Sequence, residues 1–236
     1  MAKSKEKKTR PRFRPLRWVR RWVLRCAIII VFVVCGTVLA HRMINPPDTY
    51  YMNQESRRLG GIDTQWVPLN AVAPAMARSL VAAEDANFCQ HWGFDMAAIR
   101  NALEDGTGRG ASTITQQVVK NVYLWHGRSW ARKAFEAMIT PLMEAFWPKR
   151  RIIEVYLNVA EFDEGVFGVE AASRHYFGVG PEALSDLQAA RLAAILPDPK
   201  GRSASKPSDF VRRRSASILD GAATIRRDGR DDCFED

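Results

Sequence analysis

The sequence predicts an all-α protein whose helical body is carried on one N-terminal membrane helix. Three observations predict it. Cys26 to Ala40 is a run of fifteen residues without a charge. Beyond it, apolar residues recur at helical spacing between Ser, Asp, Pro and Gly residues placed to start and stop helices. No stretch alternates as a strand does, and no internal repeat is present.

With Trp22, Val23 and Leu24 the apolar run approaches the ~20 residues needed to cross a bilayer. Arg25 lies near its end, where a long cation can snorkel, and Trp18 and Trp22 suit an interfacial belt. Residues 1–25 hold eleven Lys/Arg against one Glu, a net of +10, while the whole chain is +9, which leaves −1 for the other 211 residues. The basic character therefore belongs to the tail. It places the tail in the cytoplasm and residues from about His41 onward outside it. It does not describe a nucleic-acid-binding domain, and no nucleic-acid motif is present. Val38-Leu39-Ala40 also resembles a signal cleavage site, but the run is long for a signal peptide and has aromatic flanks, which favours a retained anchor. Cys89 and Cys233 lie outside the apolar segment and are free to pair in an oxidising compartment, though two isolated cysteines do not dictate it. No cysteine or histidine spacing suggests zinc.

Asn45-Pro46-Pro47-Asp48 breaks the first helix and reads as a linker. Pro74 suits the first turn of a helix to Ala83. Asp95 can cap a helix running to Asp105, stopped by Gly106. Ser112 is expected to cap the next helix and Ser129 a longer one, which Pro141 should kink or split and Pro148 should end. Lys149 to Asn158 has helical spacing, and Gly165, Gly168, Gly178 and Gly180 mark turns. Ser185 and Gln188 have capping-box spacing before a helix that Pro197 terminates, and Ser208 caps a last helix to about Arg226.

The chemistry-bearing residues cluster in four places. Glu84-Asp85 ends a helix before Phe88 and His91, where a carboxylate can have a raised pKa and act as general base. Gly110 to Gln117 crowds three hydroxyls and two amides into eight positions, a composition suited to reading sugar hydroxyls. Gln116, Gln117 and Lys120 then offer two amides and an ammonium from the following helix. Arg128, Arg132 and Lys133 suit a phosphate group, and Glu136 stands at salt-bridge spacing from the last two. Arg212-Arg213-Arg214 reads as a solvated helix face.

In this order the segments resemble peptidoglycan glycosyltransferase family 51, in its monofunctional membrane-anchored branch. Glu84 to Asp95 resembles the first family motif, and Gly110 to Gln117 the second. Arg132 to Glu136 resembles the third and Lys149 to Asn158 the fourth. Gly168 to Ala172 with Tyr176-Phe177-Gly178 resembles the fifth. The resemblance covers about residues 66–200 and departs from the usual pattern at Arg151-Ile152-Ile153.

The resemblance implies a lysozyme-like head lobe with a smaller, membrane-proximal jaw lobe. It divides the chain into a basic cytoplasmic tail at 1–21, a transmembrane helix at 22–43, a linker at 44–65 and a glycosyltransferase domain at 66–236. It implies polymerisation of lipid II onto a growing chain linked to undecaprenyl diphosphate, by inverting transfer to the GlcNAc 4-hydroxyl. Glu84 is then the general base and Glu136 the second carboxylate, on the diphosphate side. Lys120, Arg128 and Lys133 would stabilise the diphosphate, while Ser112, Gln116, Gln117 and Asn121 would hold sugars and phosphates. Asp85 would orient its neighbours. No cofactor is obligatory, with room for a divalent cation, Mg or Mn, at the donor diphosphate. The implied partners are lipid II, the lipid-linked glycan, the membrane, and cell-division or other cell-wall synthesis proteins. The implied location is the bacterial inner membrane, with the catalytic domain periplasmic. Around Trp125, Trp130, Phe135 and Met138 the sequence allows either core packing or lipid contact. A lysozyme-like hydrolase, or a scaffold that binds precursors without turnover, remains as an alternative reading.

Overall fold

A computed structural model describes residues 15–104, 106, 112–127 and 129–235. Helix α1 (Pro15–His41) fits a single-pass membrane anchor, and its candidate span begins at Leu16, earlier than the expected Trp22. Its apolar side chains from Ile28 to Val33 are exposed, as a lipid-facing helix requires.

The segment expected to be a linker is structured. Helix α2 (Tyr50–Leu59) is capped by Thr49, whose hydroxyl accepts from the Met52 N–H, and it ends at Gly60 in the left-handed conformation. The helix is mostly polar and buries only Met52 and Glu55, so it has no apolar stripe to announce it. Three very short strands follow the same logic: β1 (Asp63–Thr64), β2 (Glu161–Asp163) and β3 (Val166–Phe167). They pair in the order β1-β3-β2, with β1 parallel to β3 across about a hundred residues of sequence. The expectation of no strands fails here because two or three residues cannot show alternation.

The helices α3 (Pro74–Glu84), α4 (Met96–Glu104), α5 (Ile114–Tyr123), α6 (Trp130–Phe146) and α7 (Lys149–Val159) carry the functional segments. After them come α8 (Gly168–Phe177), α9 (Asp186–Ile195) and α10 (Asp209–Arg227). Pro74, Asp95, Ser129, Ser185 and Ser208 start their helices as expected. Pro141 does not split α6. It sits on the exposed face, and the carbonyl its missing N–H leaves free belongs to Ala137, also exposed and open to water. Helices α3, α9 and α10 pack on one another, and α5 packs between α6 and α7. One hydrophobic core joins them, with Phe88, Ile114, Met143, Ile153 and Leu157 fully buried.

The anchor is fastened to this body. The Trp147 indole donates to the Val38 carbonyl at 2.7 Å. Arg151 donates to the carbonyls of His41 and Ile44, closing the end of α1 much as a basic residue caps a helix C-terminus. Beside α1, helix α6 exposes Trp130, Phe135 and Met138 rather than burying them in the core.

Candidate active site

Glu84 is the last residue of α3, a helix whose other face is buried through Met76, Leu80 and Val81. Its side chain is only 14% exposed. Gln117 donates to Glu84 Oε2 at 2.9 Å, and an Arg214 nitrogen stands 3.7 Å from Oε1. Burial pushes the Glu84 pKa up, and the Gln117 hydrogen bond, Arg214 and Lys120 offset this only in part.

Asp85 faces inward. Its Oδ2 accepts from the backbone N–H of Ile114 at 3.0 Å, and its Oδ1 meets His91 Nε2 at 2.8 Å. One carboxylate thus joins the end of α3 to the start of α5, which is the orienting role expected for it.

The polar segment before α5 divides into two groups. Thr113, not Ser112, is the N-cap, and its hydroxyl also donates to the Gly93 carbonyl at 2.7 Å. Gly93 has a φ of 78°, and a Cβ there would lie 2.5 Å from Thr140 Cγ2, so this approach requires glycine. Gln116 is buried and closes the capping box, its Oε1 accepting from the Thr113 N–H. Thr115 is buried and donates to Glu144. These contacts commit the Thr113 and Thr115 hydroxyls and the Gln116 Oε1 to the helix start and the core. Ser112 stays exposed and accepts from Lys133 at 3.3 Å. Gly110 and Ala111, and the expected diphosphate ligand Arg128, lie outside the described residues.

Gln117, Lys120 and Asn121 form the open face of α5, and the buried face is Ile114, Val118 and Val119. Both ends of the Gln117 amide are engaged: Nε2 donates to Glu84 and Oε1 accepts from the Tyr156 hydroxyl at 3.1 Å. Gln117 therefore holds the carboxylate, and it also lines the pocket beside Lys120 and Asn121. Burial lowers the Lys120 pKa, and Arg132 and Lys133 lower it further, while Glu136 and Glu84 both raise it. Lys120 is thus within electrostatic reach of both carboxylates.

Glu136 is 2% exposed on α6. Arg132 donates to its Oε2 at 2.8 Å and Lys133 to its Oε1. The two cations that flank it are thereby fixed toward Lys120 and Ser112.

Two pockets meet at the Gln117–Glu84 hydrogen bond. One, of about 260 Å³, is lined by Glu84, Asp85, Asn87, Asp95 and Ser112. The other, of about 200 Å³, is lined by Lys120, Asn121, Tyr51, His126 and Glu161. His126 stacks on Tyr51 with ring centroids 3.9 Å apart, and burial holds its pKa down at about 4, so it is neutral near pH 7. Sequence reasoning missed Tyr51 and His126, because Tyr51 lies in the presumed linker. Arg214, read as part of a solvated face, stands 3.7 Å from Glu84, and Tyr156, buried in the core, reaches the Glu84 network through Gln117.

The site sets a largely desolvated carboxylate, Glu84, near Lys120 and the cation-paired Glu136 on a helical body. The Transglycosylase family profile matches residues 53–223, and the chain belongs to that family. A relative from Jannaschia sp. (strain CCS1) is 59% identical over 216 residues, covering 92% of this chain and 90% of that protein. One from Caulobacter vibrioides is 45% identical over 226 residues, covering 92% and 98%. One from Ectopseudomonas mendocina is 45% identical over 213 residues, covering 86% and 88%. Each is named a biosynthetic peptidoglycan transglycosylase.

Proposed function

We propose that the protein polymerises lipid II into the glycan strands of peptidoglycan. The observation that carries this reading is Glu84: a buried carboxylate of raised proton affinity, opening on a pocket and facing a desolvated lysine. Glu84 takes the proton of the acceptor GlcNAc 4-hydroxyl as that oxygen attacks the anomeric carbon of the donor. The α-linked donor becomes a β-1,4 bond in one inverting displacement, and the undecaprenyl diphosphate leaves. Charge building on the diphosphate is met by Lys120 and Lys133, with Arg132 and Glu136 fixing Lys133 in place. A hydrolase acting on neutral glycosidic bonds has no such anion to stabilise, so the cation cluster supports transfer over hydrolysis. Arg128 completes the cation set on the family resemblance, and Ser112 and Asn121 are the open polar groups left to hold sugars.

Both Glu136 oxygens are occupied by cations, and no cluster of three metal-ligating side chains occurs among the described residues. The described residues therefore build no metal site beside Glu136. A divalent cation would enter with the diphosphate rather than on a protein cage.

We further place the anchor in the bacterial inner membrane with the basic tail cytoplasmic and the body periplasmic. The exposed Trp130, Phe135 and Met138 beside α1 support a jaw resting on lipid. Such a surface keeps the groove near the substrate's lipid tail. Cell-division or other cell-wall synthesis proteins are the partners this reading expects.

Purified full-length protein with labelled lipid II in detergent tests the function: long glycan products should form and should disappear in Glu84→Gln. No polymer with the wild type, or equal polymer with the mutant, would refute it. Protease added to spheroplasts should digest the body and spare the tail; a digested tail would reverse the orientation.

A further inference from the structure

The chain after α10 folds back onto the loop that follows Glu84. Gly229, with a φ of 65°, turns it. Arg230 then donates to the Ala86 carbonyl at 3.1 Å. Cys233 is disulfide-bonded to Cys89. The Phe234 ring, fully buried, lies 6.4 Å from that of Phe88. The hook is itself held from outside: Arg78 pairs with Glu235 at 2.6 Å and with Asp231 at 3.4 Å, and Arg150 donates to the Phe234 carbonyl at 3.0 Å. From α10, Arg214 donates to the Ala83 carbonyl at 3.5 Å. The chain on both sides of Glu84 is thus tied from beyond residue 213, through the carbonyls of Ala83 and Ala86 and the side chains of Phe88 and Cys89.

We propose that residues 228–235, with Arg214 and the Cys89–Cys233 bridge, form a clamp that positions Glu84 for proton transfer. This rests on the reading of Glu84 as general base. Its logic is mechanical. Glu84 closes a helix and Asp85 is already committed to Ile114 and His91, so nothing within α3 fixes the direction in which the Glu84 carboxylate leaves the helix. Gln117 and Arg214 meet the carboxylate itself, and the backbone it projects from is steadied by Arg214 at Ala83 and by the loop from Ala86 to Cys89, which packs on the hook. Arg230, Cys233 and Phe234 are positioning residues: they touch backbone, sulfur and ring, and no reacting atom. Opening the clamp would loosen the helix end that holds Glu84 largely out of water, and so would lower the proton affinity that burial raises.

The test uses the full chain in detergent with labelled lipid II, following kcat, KM and the pH profile of kcat/KM. The bridge is opened in two ways: by the paired change Cys89→Ser with Cys233→Ser, and by a dithiol added to folded wild type. The dithiol gives two electrons and two protons, leaving two thiols and its own cyclic disulfide. Cys26 and Cys35 are already free, so the reagent reports on this bridge alone, and it should add nothing to the double variant. We expect kcat to fall about tenfold with KM held within about twofold, the pattern of a displaced reacting group. The acid limb of the profile should move down toward an ordinary carboxylate value as water reaches Glu84. Arg230→Gln should act in the same direction by about threefold, with Arg230→Lys restoring part of it, and these variants carry the test if the serine pair does not fold. A lower Tm with wild-type kcat and an unmoved acid limb would make the hook a stabilising feature only and overturn the proposal. Glu84→Gln in the same assay separates the two readings. If it keeps activity, the base assignment fails. If it is inactive while the clamp variants match wild type, only the clamp fails.

Discussion

Glu84 and Glu136 are two buried carboxylates in one site, and their surroundings are opposite. Glu136 has a cation on each oxygen, from Arg132 and Lys133 on its own helix. Glu84 has a neutral amide on one oxygen and a guanidinium no closer than 3.7 Å on the other, and burial wins, so its proton affinity rises. Desolvation favours the protonated form of the thinly paired Glu84, while the two cations on Glu136 hold it in a fixed charge array. On the proposed mechanism, these surroundings suit Glu84 to proton transfer and Glu136 to organising charge.

The largest effects should come from exchanging each carboxylate for its amide, and stability should move in opposite directions. Glu84→Gln should cost about a thousandfold in kcat, within the range of a lost general base. A carboxyl whose folded pKa is raised holds its proton more tightly folded than unfolded. Its stabilising contribution is therefore present below the ordinary pKa and lost as pH rises through the folded one. At pH 7 the ionised group is a cost, so Glu84→Gln should raise Tm by about 2–4 °C, the equivalent of ~1 kcal/mol in a chain of this size. Equal or lower Tm would mean that Gln117 and Arg214 compensate the burial fully, and the contrast between the two carboxylates would disappear.

Glu136→Gln should lower activity about tenfold, because Lys133 and Arg132 lose the group that aims them. It should also lower Tm. Arg132, with 13% of its side chain exposed, is left without its anion, while Lys133 is 43% exposed and screened by solvent. Only the Arg132 half is counted, at about 1–2 kcal/mol, or roughly 2–8 °C. An unchanged Tm would show that the pair is already wet.

How much of this contrast the sequence carried follows from how local each cause is. Glu136 with Arg132 and Lys133 is a pattern within one helical turn, and it was legible. So were the starts of α3 and α9, through Pro74 and the Ser185–Gln188 box. Glu84 was identifiable as an acid at a helix end, but its partners arrive from far away: Gln117 from α5, Tyr156 from α7 and Arg214 from α10. No spacing rule relates Glu84 to partners on three separate helices, of which the nearest in sequence is 33 positions away. Helix α2 was hidden for a different reason, because it is a polar helix held by Thr49 and Gly60 rather than by an apolar stripe. Read locally, the Thr-rich segment suggested ligand binding. Thr113, Thr115 and Gln116 instead spend their polar atoms on Gly93, Glu144 and the cap, which requires α6 and the loop before α4 to be in place.

The smallest effect tests the thin pairing of Glu84 most directly. Gln117 Nε2 stabilises the ionised form of Glu84, so Gln117→Leu should raise the pKa of the base further and shift the acid limb of kcat/KM to higher pH. The rate near neutral pH should fall only a few-fold, as expected for one neutral hydrogen bond of about 1 kcal/mol. Tyr156→Phe is the matched control. It removes the hydroxyl that donates to Gln117 Oε1 while leaving the Gln117–Glu84 bond in place, so the acid limb should stay where it is. If Tyr156→Phe moves the limb as far as Gln117→Leu does, the three side chains act as one polarised chain. The base would then be set by Tyr156 through Gln117, and the proton affinity of Glu84 would belong to the network rather than to its burial.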